Sequence, residues 1–170
     1  MTFTDGTGVA DDGGDAMATV ARLHREWIFR WDREEGDPVF DFDAVFSDLY
    51  DTDGDDVILF DDADPQRRVL RSAHEFGRVF GPVFTALRRA EHAVEEAPSV
   101  LVSGSLAASR LVFIARLTHA DGSRTGMRAF SSQVWRAGAD GRWRIVRDQT
   151  AVGHLDLGET AALLAALPRR

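Results

Sequence analysis

Two β-rich runs separated by an Asp-Gly turn constrain this chain more than any other feature. Arg124–Arg136 and Arg142–Val152 flank Ala139-Asp140-Gly141, a strong short-range signal for a β-hairpin. With Trp135 and Trp143 opposed, strict alternation sorts the side chains onto two faces. One face takes Met127, Ala129, Ser131, Gln133, Trp135, Trp143, Ile145, Arg147 and Gln149. The other takes Arg128, Phe130, Ser132, Val134, Arg144, Val146, Asp148 and Thr150. Neither face is wholly polar, so both must meet something: helices on one side, a partner chain or another layer on the other. Polar groups set among apolar ones on such a sheet suit a small-molecule pocket.

The rest of the chain supplies the helices. Asp15 is placed to cap a helix running to about Glu35, where Gly36 and Pro38 stop it. Its apolar stripe is Val20, Leu23, Trp27, Ile28 and Trp31, with His24 on the same side. Phe42, Val45, Phe46, Leu49 and Tyr50 carry helical spacing into a shorter second helix. Short strands follow at Val57–Phe60 and Arg67–Leu70. Ser72-Ala-His-Glu75 is a capping box opening a third helix, which Gly81-Pro82 kinks without ending. From Ala90 to Val152 the chain reads as strand, with a second hairpin turn at Asp121-Gly122.

The pattern predicts a disordered tail over 1–14, a single α+β domain over 15–156 and an Ala/Leu-rich tail over 157–170. That last tail forms a short helix that docks on the body or on a partner.

Composition removes several chemistries. There is no cysteine, hence no disulfide, thiolate nucleophile or cysteine-ligated zinc. All 20 Lys+Arg residues are arginine, which excludes Schiff-base lysine chemistry and a P-loop lysine. A net charge of -8 argues against nucleic acid or an anionic membrane as the main partner. No apolar run reaches membrane-spanning length and the acidic start is unlike a signal peptide, so a cytoplasmic protein is expected. The acidic run Asp51–Asp56 fails the EF-hand pattern, because glycine comes at its fourth position and Asp62 at its twelfth. The histidines show no HxH or HExxH spacing. No metal and no cofactor is expected.

The order helix, helix, short strand, kinked helix, long strands resembles the nuclear transport factor 2-like superfamily. The closing R-W-R-I-V-R-D-Q-T resembles the W-x-I-V-x-x-H-x-S ending of its SnoaL-like branch. The resemblance covers about residues 16–153. It implies a cystatin-like cone, in which a curved antiparallel sheet is wrapped by about three N-terminal helices around an apolar cavity, and frequent homodimers. The superfamily includes isomerases, polyketide cyclases, dehydratases and epoxide hydrolases, together with binders that have no turnover.

Against the ketosteroid isomerase strand D-A-T-V-E-D-P, Asp56–Asp61 aligns with Asp61 at the general-base position. The isomerase tyrosine falls near Phe29 and the second acid near Ser132, so both are missing. Asp148 matches the pocket aspartate of SnoaL-like cyclases, while the histidine expected after it is Gln149.

Asp148, Asp61 and His24 are therefore the candidate catalytic groups, Asp148 ahead of Asp61, since a carboxyl in an apolar cavity is held protonated toward neutral pH. Each has a plain structural alternative: a strand ion pair for Asp148, a turn residue for Asp61, a hydrogen-bonded core residue for His24. Trp27, Trp31, Tyr50, Phe80, Phe84 and Phe113 are the candidate walls for a hydrophobic, polycyclic ligand. Arg128, Ser132 and Gln149 are the candidate polar contacts. The expected protein is a cofactor-independent enzyme acting on that ligand. The alternatives are a binding or accessory protein of the same fold, and an assembly module using the outer sheet face and the Ala/Leu tail. A homodimer through the outer face of the last strands is expected, with Trp135 or Trp143 near that interface.

Overall fold

The computed structural model describes residues 12–168. The expected tail over 1–14 lies mostly outside that range, but residues 12–14 form the first turn of helix α1 (Asp12–Phe29). α2 (Phe42–Phe46), β1 (Ile58–Asp61), β2 (Val69–Leu70) and α3 (Ala73–Thr85) follow. Then come β3 (Leu87–Ser103), β4 (Leu106–His119), β5 (Arg124–Ala137), β6 (Trp143–Leu155) and α4 (Leu157–Ala166). The strands form one sheet in the order β2-β1-β6-β5-β4-β3. Every pairing is antiparallel except β1 with β6, which is parallel, so the sheet is mixed.

Helix α1 ends at Phe29, short of Glu35, because tertiary pairing overrides its local pattern. Arg33 is drawn into a bridge with Ala90 of β3, each backbone N–H reaching the other's carbonyl at 2.9 Å. Helix α3 runs unbroken through Pro82, as its apolar period requires. Ser72 caps it by accepting from Glu75 N, and Glu75 turns back to accept from Arg71 N at 2.7 Å. Gly122 (φ 84) and Gly141 (φ 75) take the left-handed positions that the two hairpin turns demand.

The aromatic stripes of α1, α2 and α3 pack on the concave face of the sheet. Trp31 sits among Phe40, Phe46 and Phe84, with ring centroids 4.5 to 5.4 Å apart. The C-terminal helix docks on the opposite, convex face. There Leu164, with Leu163 and Leu167 beside it, covers Ala93 and Ile114. No helix among the described residues is long and apolar enough to cross a membrane.

One residue overturns the expected alternation of the last strand. Val134 pairs with Arg147, but Trp135 pairs with Ile145, leaving Val146 as a bulge. Beyond it the phase reverses. Asp148 and Thr150 face inward opposite Gln133 and Ser131, while Arg147 and Gln149 turn outward. Trp135 is fully buried in the core and Trp143 packs against it, so neither tryptophan lies on the outer face.

Candidate active site

Between the sheet and helices α1 and α3 lies a cavity of about 620 Å³. Its apolar wall includes Trp27, Trp31, Phe80, Phe84, Phe113 and Met127. Such a wall suits a flat, ring-bearing molecule. Five of the six aromatic residues nominated from sequence line it; the sixth, Tyr50, does not. The three nominated polar contacts are also elsewhere. Arg128 sits on the outer face, paired with Glu95 at 2.7 Å, and Ser132 and Gln149 are exposed on that face. Arg128 and Ser132 follow the outward phase of β5, and the bulge turns Gln149 outward.

The two aspartates separate. Asp61, at the end of β1, lines the cavity and is half-buried. Burial pushes its carboxyl up to about 6; the charges of Asp62 and Asp64 add to this, and a hydrogen bond from Ala63 N at 2.9 Å opposes it. Asp148 is not on the cavity wall but behind it, 3% exposed.

Tyr50 donates to Asp148 Oδ2 at 2.6 Å and accepts from Trp27 Nε1 at 2.9 Å. Tyr50 reaches this position because its backbone bridges to Ile145, just before the bulge. Burial pushes Asp148 up to about 7, and the nearby Asp61 adds to the rise, while the hydrogen bond from Tyr50 pulls the other way. Burial and the adjacent Asp148 likewise raise the Tyr50 phenol well above its ordinary value. Asp148 Oδ1 and both polar atoms of Gln133, its cross-strand neighbour, are buried without a hydrogen-bond partner. A protonated Asp148 removes the cost of an uncompensated charge there.

His24 is also sealed from the cavity. One ring nitrogen meets Ser131 Oγ at 2.9 Å and the other Ser109 Oγ at 2.8 Å, and Ser109 accepts from Trp135 Nε1. Burial lowers its pKa to about 3, so it is a neutral core imidazole.

A different histidine faces the cavity. His92 of β3 lines it, and its Nδ1 and its backbone N both lie on Asp32 Oδ1, at 2.8 and 3.0 Å. The carboxylate accepts, so Nδ1 donates the hydrogen. The early end of α1 makes this pair, because Asp32 would otherwise sit inside a helix. His119, bonded to Thr125 Oγ1 at 2.9 Å, and His154 complete the polar lining of that end. Sequence spacing hides the pair, whose members are 60 residues apart. No group of residues suited to hold a metal occurs among the described residues.

No protein-family model matches the sequence, and comparison with curated proteins finds no match. Solved structures do match. A protein from Kribbella flavida is 15% identical, with a TM-score of 0.68 over 89% of this chain and 99% of its own. A nuclear transport factor 2-like superfamily protein from Salmonella enterica serovar Typhimurium is 17% identical, with a TM-score of 0.62 over 84% and 97%. A candidate scytalone dehydratase from Novosphingobium aromaticivorans is 12% identical, with a TM-score of 0.65 over 85% and 89%. Identities this low speak to architecture alone, and on that evidence the chain has the nuclear transport factor 2-like fold.

Proposed function

We propose that this protein is a cofactor-independent acid–base catalyst acting on a hydrophobic, ring-bearing small molecule. The observation that carries the reading is a half-buried carboxyl, Asp61, held near pKa 6 on the wall of an aromatic cavity. A general base works best when its pKa lies near the working pH, and burial tunes Asp61 toward that range. Asp61 takes a proton from carbon α to a ligand carbonyl, or assists a dehydration, cyclisation or epoxide opening by the same transfer. Asp148 and Tyr50 act behind the wall as positioning groups for Trp27. Their chain of hydrogen bonds fixes the Trp27 indole against which the ligand lies.

His92 works from the far side. In the strand order four inter-strand steps separate β1 from β3, roughly 19 Å measured along the sheet. His92 therefore addresses a different part of the ligand, as a hydrogen-bond partner for a hydroxyl or a developing oxyanion.

Proton exchange on simple ketones tests the reading, because α-proton abstraction can be detected on any ligand that fits the cavity. 2-Tetralone and related cyclic ketones are incubated with the protein in deuterium oxide and followed by NMR. Deuterium enters the α position faster than in buffer alone, and Asp61→Asn abolishes the excess. Binding of the same ketones with no excess exchange makes the protein a ligand carrier instead.

We also infer that the chain forms a homodimer through the convex face of the sheet. Leu101 (76% exposed), Phe130 and Leu106 present an apolar surface there, beyond the area that α4 covers.

A further inference from the structure

The cavity is rimmed on one side by the turn between β1 and β2. Asp64 organises that turn. Buried to 3% exposure, its carboxylate accepts from Gln66 N at 3.1 Å and Arg68 N at 3.0 Å, and it binds the Arg68 guanidinium at 2.8 and 2.9 Å. Its carbonyl accepts from Arg67 N at 2.9 Å. Held between these anchors, Arg67 has φ 48. It alone among the described non-glycine residues takes the left-handed region, which disfavours any side chain with a Cβ and suits glycine or asparagine better.

What occupies this position is an arginine with nothing to hold. Arg67 lines the cavity and is exposed at its mouth, and among the described residues no hydrogen bond or ion pair engages its guanidinium. The other cavity-lining arginine, Arg68, is neutralised by Asp64. Asp62 accepts from Val152 N of the sheet at 2.7 Å. A planar fork of donors therefore stands open at the rim of an apolar, aromatic-walled space, on backbone strained to place it there.

We infer that the cavity takes an amphipathic ligand: a ring-bearing apolar body in the aromatic interior and a carboxylate received by Arg67 at the rim. A guanidinium matches a carboxylate through two parallel hydrogen bonds. The acidic turn selects a monoanion, because Asp61 and Asp62 repel a doubly charged phosphate more strongly. This inference rests on the cavity being a ligand site and deepens that reading by adding the charge of the substrate.

Calorimetric titration with a matched pair of probes, 2-naphthoate and the neutral 2-acetylnaphthalene, tests it on the wild-type protein, Arg67→Asn and Arg67→Lys. The wild type binds naphthoate about tenfold more tightly than the ketone, the scale of a charge-assisted contact. Arg67→Asn loses that preference, keeps its affinity for the ketone and melts no lower than wild type, since asparagine tolerates the left-handed backbone. Arg67→Lys retains part of the preference. Equal naphthoate affinity in wild type and Arg67→Asn, with the ketone still bound, overturns the role of Arg67 and leaves the cavity reading standing. Failure of both probes to bind the wild type overturns the cavity reading together with the inference.

Discussion

Tyr50 donates its hydroxyl hydrogen to Asp148 Oδ2 at 2.6 Å, at a point where neither residue reaches solvent. The hydroxyl also accepts from Trp27 Nε1, so it satisfies two buried groups at once. Tyr50→Phe leaves both without a partner. It should destabilise the protein by about 1–3 kcal/mol, a cost typical of orphaned buried polar groups. Chemical denaturation measures this, and a change within about 0.5 kcal/mol, the scatter of an ordinary surface substitution, would contradict the role given to Tyr50.

Asp148→Asn should stabilise the protein at alkaline pH. The folded-state pKa of about 7 stands above the ordinary 3.8, so the folded protein binds more protons than the unfolded chain between those values. Stability contributed by the neutral carboxyl is therefore lost as pH climbs from about 4 to 7. Asparagine keeps an acceptor for Tyr50 and carries no proton, so the variant should gain up to ~4 kcal/mol over wild type at pH 8. Asp61 slopes in the same direction. His24 slopes in the opposite one, because its lowered pKa makes stability rise from about pH 3 to 6.5 in both proteins. Melting curves across pH check the signs, and a variant that is less stable than wild type at pH 8 refutes them.

Asp32→Asn should release the tautomer of His92. With the carboxylate in place, Nδ1 carries the hydrogen; the amide accepts less strongly and leaves both tautomers populated. Long-range proton–nitrogen NMR distinguishes the forms. Turnover of any ketone found to exchange should fall roughly 10–100-fold, the usual cost of losing a group that orients a functional imidazole. An unchanged tautomer and unchanged rate would make Asp32 a strand contact only.

Leu101→Glu should yield a monomer. The wild type should sediment as a dimer at micromolar concentration, and the variant should not, while keeping a cooperative melt because Leu101 is solvent-facing in the isolated chain. A monomeric wild type removes the proposed interface.

Much of this architecture is legible in the sequence because local chemistry and tertiary structure agree. Ser72 caps a helix, Asp-Gly pairs turn hairpins, and the aromatic spacing of Trp27 and Trp31 points into the cavity. What is hidden depends on single events without local signature. The bulge at Val146 reverses the phase of β6, which puts Asp148 inward with Gln133, not with Phe130 and Val134. Arg33 pairs with a strand distant in sequence, ending α1 early and placing Asp32 beside His92. The resemblance carried by Asp56–Asp61 nominated Asp61, which lines the cavity at the end of β1, whereas the one that nominated Asp148 led to a residue behind the wall.

The protonation of Asp61 tests the central claim most directly, and it needs no substrate. Carbon-13 NMR of the aspartate carboxyls, with Asp61→Asn to assign the resonance, follows this group alone. A midpoint near 6 is predicted, from burial against the cavity reinforced by Asp62 and Asp64. A midpoint at or below about 4, the value of a solvated carboxyl, would make Asp61 an ordinary turn residue and contradict the proposed acid–base site.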